Sequence, residues 1–187
     1  MNWIKSLYLT ERLYIVLSFI IVIFILGYFF PVFYQVGIIL FFSLIGLLFI
    51  DFIILFNTTN GVETTRISGE KLSNGDENPI EIELKNNYPS QMNFKVIDEI
   101  PPQFQIRDFR FQTTLAAKKS TQLKYFLKPL TRGKYNFGYI NVYASSVIGL
   151  LNRRFKEGTP CDLPVYPAFI QMRKYELMAI SNNLQES

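Results

Sequence analysis

Residues 13–50 contain no Asp, Glu, Lys or Arg, and this run of 38 positions restricts the fold more than any other feature. A transmembrane helix needs about 20 apolar residues to cross the ~30 Å hydrocarbon core of a bilayer. Residues 13–30 and 32–56 each supply roughly that length. Pro31 separates them, and proline disfavours helix at the residue before it. The sequence therefore predicts a transmembrane hairpin of two helices.

The charges on either side of the hairpin predict its orientation. Lys5 and Arg12 precede the first helix, Arg66 and Lys71 follow the second, and the turn at residues 27–37 has no charge. By the positive-inside rule, both ends face the cytoplasm. The turn also contains bulky residues where signal-peptide cleavage needs small ones, so we predict that the first helix is retained. The protein is then a multi-pass protein of the cytoplasmic membrane.

Asp51 is the one charged residue of the second apolar segment. A carboxylate in hydrocarbon is costly, so such residues often mark functional sites. If the helix begins near Val36, Asp51 lies about 8 Å from its cytoplasmic end, within reach of interfacial water. This position favours the interfacial interpretation, and Asp51 is a candidate interaction residue.

Beyond Asn57 the apolar residues recur with a period of two, which is typical of strands with one buried face. In residues 80–85, for example, Ile and Leu alternate with Glu and Lys. The predicted strands are residues 62–67, 79–85, 92–98, 104–111, 121–128, 134–144, 150–156 and 162–166. Short strands in this number predict an all-β antiparallel sandwich. It is immunoglobulin-like in architecture only, because the cysteine pair and buried Trp of antibody domains are missing.

The chain divides into four predicted parts. These are a cytoplasmic flank at residues 1–12, the transmembrane hairpin at 13–56, the β-sandwich at 57–167, and a short C-terminal helix at 168–187 that begins a missing downstream domain. Within the strand at 134–144, the apolar residues shift from odd to even positions, which predicts a bulge at Gly138.

The composition argues against most catalytic chemistry. The chain has no histidine, which removes the commonest general base and zinc ligand. Its single cysteine, Cys161, cannot form an intramolecular disulfide. The net charge of +4 is spread too thinly for a nucleic-acid groove and fits a mild attraction to anionic lipids. We predict a protein that is not an enzyme and uses no cofactor.

Two acidic segments are weak candidates for chemistry. Asn74, Asp76, Glu77 and Asn78 offer oxygen ligands for Ca²⁺, but their spacing does not match an EF-hand, and a turn is the favoured interpretation. Asp98 is followed directly by another acidic residue, so the two carboxylates point to opposite faces of a strand and cannot act as a general acid–base pair. We interpret them as a solvated strand end.

Basic residues near the C-terminus are the second set of candidate interaction residues. Arg153, Arg154 and Lys156, together with Arg173 and Lys174, could bind lipid head groups or an acidic partner. Alternation along a strand sends Arg153 and Arg154 to different faces, which favours scattered surface charge.

Six segments after the predicted hairpin form a series of motifs: LSNGDEN at residues 72–78, IEIELKN at 80–86, DEIP at 98–101, YFLKPLTRGKY at 125–135, SVIGL at 146–150 and VYP at 165–167. The residues that carry the motifs are Gly75, Pro101, Pro129, Arg132, Gly133, Tyr135, Gly149, Leu150, Tyr166 and Pro167. In this order, the features resemble the large bacterial family called domain of unknown function fifty-eight. Turn glycines, prolines and core aromatics of this kind indicate a fold rather than a reaction.

The resemblance implies a context for the chain. Members of that family usually continue into a von Willebrand factor A-like domain and are often encoded beside MoxR-type AAA+ ATPases. The expected function is a membrane-anchored, non-enzymatic interaction or scaffold module that works with such an ATPase, with the lipid bilayer as its other partner. The alternatives are a periplasm-facing envelope protein for ligand binding or assembly, and an auxiliary subunit of an envelope-processing enzyme.

Overall fold

The computed structural model describes residues 3–106 and 109–167. The helices are α1 (Trp3–Ser6), α2 (Glu11–Phe29) and α3 (Pro31–Phe56), with one 3₁₀ turn at Pro102–Phe104. The strands are β1 (Leu7–Leu9), β2 (Val62–Ser68), β3 (Leu72–Ser73), β4 (Asn78–Asn86), β5 (Met92–Asp98), β6 (Phe111–Leu115), β7 (Ser120–Leu127), β8 (Gly133–Phe137), β9 (Ile140–Ser145), β10 (Leu151–Glu157) and β11 (Cys161–Tyr166). The helix predicted at residues 168–187 lies outside the described residues.

Helices α2 and α3 form the predicted hairpin. Pro31 is the first residue of α3, where its missing N–H costs nothing, and Phe30 between the helices has an extended backbone. Both helices are long and apolar enough to cross a membrane, with mean hydropathies of 2.4 and 2.9. Only 17% of each apolar segment is buried. Their apolar surface therefore faces outward, unlike that of a helix in a protein core.

The described residues from 62 to 167, together with β1, form an antiparallel β-sandwich built from three sheets. One sheet has the strand order β1-β10-β9-β5-β6, and two smaller sheets have the orders β2-β4-β7 and β3-β11-β8. Of the strand pairs in these sheets, β3 with β11 is parallel and the others are antiparallel. Inward-facing side chains of all three sheets form one hydrophobic core. The predicted fold class is confirmed.

Two predicted strands were wrong in detail. Among the described residues, 104–106, 109 and 110 are not part of a strand: Phe104 ends the 3₁₀ turn, Gln105 has a left-handed backbone (φ 55°), and β6 begins only at Phe111. The segment 134–144 is not one bulged strand. It divides at Gly138 into β8 and β9, which belong to different sheets. The shift in apolar positions arises because both strands face the same core from different sheets.

Asp98 is buried rather than solvated, which corrects the interpretation of its segment. Its carboxylate pairs with the Arg66 guanidinium and accepts a hydrogen bond from the Tyr125 hydroxyl. Burial opposes the charge on Arg66, but the hydrogen bond and charge of Asp98 outweigh it and raise the pKa of Arg66. Burial, followed by the negative charge of Asp98, raises the pKa of Tyr125. This ion pair joins β2 to β5, and thus one sheet to another.

Asp98→Asn should strongly destabilise the protein. The change removes the negative charge but leaves the Arg66 guanidinium buried, and breaking a buried pair in this way costs about 3–5 kcal/mol. The measurement is urea unfolding of the full chain in detergent, followed by near-ultraviolet circular dichroism. Lys124→Gln is the control, because it removes one charge of the exposed Lys124–Glu81 pair. Equal unfolding midpoints for the two variants would contradict the assignment.

Candidate functional site: the hairpin–sandwich junction

The C-terminal end of α3 is part of the sandwich core. Leu55 is fully buried and Phe56 is nearly so, and both belong to the core formed by the sheets. The rings of Phe52 and Phe56 stack with their centroids 4.6 Å apart. Helix α3 ends at Phe56, where the predicted boundary lies, and hairpin and sandwich share a core across it. We call this contact region the junction and define it by Asp51, Leu55, Phe56, Arg153 and the loop 146–150.

Asp51 binds the loop that connects β9 to β10. Its carboxylate accepts hydrogen bonds from the backbone N–H groups of Leu150 (2.9 Å) and Leu151 (2.8 Å) and from the Ser146 hydroxyl. Gly149 has a left-handed backbone (φ 68°), which a residue with a side chain rarely adopts. These donors replace the water that the carboxylate loses on burial.

The position of Asp51 along the helix agrees with the prediction, but its surroundings do not. Gly27 packs against Tyr34 and Gly37 against Phe24, so in this antiparallel pairing Asp51 lies level with Thr10, just before α2 begins. The residue thus lies at the end of the hairpin, as expected. It is fully buried there, however, so the prediction that it reaches interfacial water was wrong. The sandwich supplies the hydrogen-bond donors instead.

Arg153 binds the end of α3. Its guanidinium donates hydrogen bonds to the carbonyl oxygens of Leu55 (2.7 Å), Thr58 (2.6 Å) and Thr59 (3.0 Å). A positive charge at a helix C-terminus is favourable, because the last carbonyl groups lack partners and carry partial negative charge. The rings of Phe56 and Phe155 also lie within 5 Å of the guanidinium. The prediction of a scattered surface charge was wrong for this residue.

Tyr88 completes this end of the junction. Its hydroxyl donates a hydrogen bond to the Leu55 carbonyl oxygen at 3.0 Å. Burial raises the pKa of Tyr88 to about 12, although the nearby positive charge of Arg153 acts in the opposite direction. The hydroxyl therefore stays neutral and able to donate at physiological pH.

The other basic candidates lie away from the junction. Arg154 faces the opposite side of β10 from Arg153, as alternation predicted, and donates to Asn141 Oδ1 at 2.6 Å and to the Tyr8 hydroxyl at 3.2 Å. Hydrogen bonding to Tyr8 raises the pKa of Arg154. Lys156 is exposed, and its ammonium lies 3.7 Å from the centre of the Tyr139 ring. The structure brings Asp51 and Arg153 together but not Arg154 or Lys156. Arg173 and Lys174 lie outside the described residues.

The N-terminal flank contributes a strand that the sequence did not predict. Strand β1 pairs with β10, with Leu7 opposite Arg153 and Leu9 opposite Leu151. The Thr10 hydroxyl then donates to the carbonyl oxygens of Gly149 (2.8 Å) and Leu150 (2.9 Å). The loop 146–150 is therefore held by both helices of the hairpin. Three alternating residues are too few to reveal such a strand in the sequence.

The motif residues of the sequence have structural roles. Gly149 and Leu150 lie in the loop that binds Asp51, as described above. The backbone N–H of Gly75 donates to the Pro129 carbonyl (2.8 Å), and that of Asn74 to the Tyr166 carbonyl (2.8 Å), so three distant motifs meet at one turn. The remaining motif positions lie in strands, turns or their flanks: Pro101 before the 3₁₀ turn, exposed Arg132, Gly133 (φ 143°) and buried Tyr135 in β8, and Pro167 after β11.

The candidate calcium ligands form a closed turn. The Ser73 hydroxyl donates to Asp76, and the Asn78 side chain binds the backbone of Ser73, Asp76 and Leu127. The favoured interpretation as a turn is confirmed. Within residues 3–106 and 109–167, no group of three or more His, Cys, Asp or Glu side chains is placed to hold a metal ion.

Comparisons with solved structures find β-sandwich domains at low similarity. A PapD-like domain of human CEP192 is 14% identical, with a TM-score of 0.43, over 58% of this chain and 87% of that one. The CARDB domain of a Pyrococcus furiosus protein is 12% identical, with a TM-score of 0.38, over 57% and 93%. A β-glucosidase from Listeria innocua is 11% identical, with a TM-score of 0.32, over 57% and 16%. No protein-family model and no curated protein matches the sequence.

Asp51→Ala should loosen the loop 146–150. The change leaves the buried N–H groups of Leu150 and Leu151 unpaired, and each unsatisfied group costs about 1–3 kcal/mol. We expect hydrogen exchange at these two amides to accelerate about tenfold or more, with little change in the central strand β4. Glu63→Ala is the control, because this exposed residue lies in another sheet. Unchanged protection in the Asp51 variant would contradict the role of the carboxylate.

Leu55→Ala should unfold the sandwich more easily although the substitution lies in a hairpin helix. Removing a fully buried leucine side chain costs about 2–5 kcal/mol. Ile53→Ala on the same helix is the matched control, since Ile53 is 47% exposed. The measurement is the urea midpoint of the sandwich in detergent. A lower urea midpoint for Ile53→Ala and an unchanged midpoint for Leu55→Ala would contradict the assignment of Leu55 to the sandwich core.

Proposed function

We propose that this chain is a membrane-anchored interaction module whose sandwich is held at the bilayer surface in one orientation. The observation that carries this proposal is the junction. Asp51 reaches from the hairpin to the sandwich, Arg153 reaches from the sandwich to the hairpin, and the two parts share a core. Such an arrangement suits a module that presents a defined surface to a partner.

The connection between helix and sandwich lacks the freedom of a flexible linker. Only residues 57–61 separate α3 from β2, and Arg153 binds two carbonyl groups within this segment. A flexible linker would leave the sandwich free to rotate, and the partner would then meet no fixed surface. The junction instead ties the direction of the sandwich to that of the hairpin.

The proposed location is the cytoplasmic membrane of a bacterium, with both chain ends in the cytoplasm. The apolar hairpin and the flanking basic residues support this orientation. Val147 supports the membrane contact itself, because it is 69% exposed in the loop that binds Asp51 at the end of the hairpin. An exposed apolar side chain at that height is suited to contact with the bilayer interface.

The proposed partner is a MoxR-type AAA+ ATPase, and the proposed role is scaffolding rather than catalysis. The resemblance to the domain of unknown function fifty-eight family supports the partnership. In that family, a von Willebrand factor A-like domain usually follows the sandwich. The test of the partnership is binding between the full chain in lipid nanodiscs and a purified MoxR-type AAA+ ATPase from the same organism. Failure to bind would overturn the partnership, while the proposed anchoring has its own test.

Cysteine labelling should place the sandwich in the cytoplasm. In a Cys161→Ser background, Ser120→Cys puts a thiol at an exposed position of the sandwich, and Tyr28→Cys puts one in the hairpin turn. A membrane-impermeant maleimide added to intact cells should label Tyr28→Cys but should label Ser120→Cys only after lysis. The reverse pattern would support the periplasm-facing alternative, and extraction of the chain without detergent would overturn the anchoring.

A further inference from the structure

The five-stranded sheet carries an open groove beside the start of α2. The groove has a volume of about 830 Å³, which lies in the range of small-ligand sites. Its floor is the outer face of the sheet, and its lower edge includes Leu9, Glu11 and Arg12. The groove uses none of the side chains of the junction.

The floor of the groove is polar in two successive rows. Strand register places Tyr8, Asn152, Ser145, Asn93 and Thr114 side by side in the row nearer α2. Tyr143, Lys95 and Gln112 form the next row. The two rows are about 7 Å apart, since residues two positions apart on a strand share a face. The floor therefore offers hydroxyl, amide and ammonium groups in a compact array.

Two cations line the groove, Arg12 and Lys95. Within the described parts of the chain, their side chains make no hydrogen bond or ion pair, whereas those of Arg153 and Arg66 make several hydrogen bonds each. Glu11 is the one carboxylate among the described lining residues. The Thr10 hydroxyl binds carbonyl groups rather than capping α2, so the first N–H groups of the helix add positive potential. The groove thus favours an anion.

The height of the groove identifies the source of that anion. Glu11 and Arg12 begin the helix that enters the membrane, so the near row lies at the level of the lipid head groups. The exposed apolar surface of α2 begins directly after Arg12, with Tyr14 (56% exposed) and Ile15 (67% exposed), and lies on the membrane side of Arg12. An anionic phospholipid has the same order of chemistry, from acyl chain to phosphate. Amphipathic tyrosines such as Tyr8 also prefer this level of the bilayer.

The geometry points to a binding site for the phosphate of one anionic phospholipid, with Arg12 and Lys95 as its charged contacts. This inference rests on the membrane anchoring of the proposed function. The lipid would lie against β1 and β5 and complete the contact of the sandwich with the bilayer. The site would add binding of a specific lipid head group to the anchoring that the two helices provide.

The experiment compares lipid retention by the full chain. The chain is purified in mild detergent and titrated with phosphatidylglycerol or phosphatidylcholine, and bound lipid is counted by native mass spectrometry. We expect one phosphatidylglycerol per chain, bound at least tenfold more tightly than phosphatidylcholine. Equal affinity for the two lipids would overturn the inference. Displacement of phosphatidylglycerol by millimolar inorganic phosphate would also overturn it, because the site would then serve free phosphate.

Matched variants locate the site. Arg12→Gln and Lys95→Gln should each weaken phosphatidylglycerol binding about tenfold, through loss of a charge-assisted hydrogen bond. Glu11→Gln should strengthen it, because the competing carboxylate is removed. Lys128→Gln removes the same charge from an exposed position beyond β7 and should change nothing. The inference fails if Arg12→Gln and Lys95→Gln behave like Lys128→Gln while the strands keep their hydrogen-exchange protection.

A separate readout keeps this result distinct from failure of the anchoring. Each variant is also tested for retention in nanodiscs of phosphatidylcholine, which depends on the hairpin alone. Retention with loss of phosphatidylglycerol selectivity identifies the groove as the lipid site. Loss of retention for the unmodified chain would overturn both the anchoring and the lipid site.

Discussion

A carboxylate near the end of an apolar helix can be buried only where protein donors replace the water that it loses. In this chain, those donors belong to the loop between β9 and β10 and bind Asp51. Arg153, on the strand that follows the loop, donates hydrogen bonds to carbonyl groups at the end of α3. The helix thus supplies acceptors to the sandwich and receives donors from it. The two charges are of opposite sign, and each is hydrogen-bonded to backbone groups across the junction. Because these bonds form in only one arrangement, burying the two charges fixes one geometry between hairpin and sandwich.

Strand β10 connects this contact to the rest of the molecule. Its first residue, Leu151, binds Asp51, and Arg153 two positions later binds the end of α3. Its outward-facing residues belong to the polar face that carries the groove, and its edges pair with β1 and β9. A second buried ion pair, Arg66 with Asp98, joins two sheets of the sandwich. Buried charged side chains thus connect hairpin to sandwich and sheet to sheet. Asp51 and Arg153 do so through backbone hydrogen bonds, and Arg66 and Asp98 through an ion pair. Apolar side chains supply the bulk of the core.

The architecture could be predicted because it depends on local periodicity. The uncharged run, Pro31 and the alternation in residues 80–85 each report on a single helix or strand, and the two apolar helices and the strand that they predict were confirmed. The roles of the charged residues could not be predicted in this way. Asp98 and Arg153 look like surface positions in the sequence, since nothing local distinguishes a buried charge with a distant partner from a hydrated one. The sequence contained one indirect signal: residues 146–150 are one of the segments on which the expected family resemblance rests, and they form the loop that binds Asp51.

The sequence alone determined that two apolar helices precede a sandwich of short strands, because hydrophobic length and period act on neighbouring residues. It also located Asp51 correctly along its helix. Only the tertiary structure decided that the two parts share a core, that β1 joins the large sheet, and that Arg12 and Lys95 face one groove. These features bring together residues that are 80 to 150 positions apart, and such pairings depend on how the chain returns on itself rather than on any local pattern.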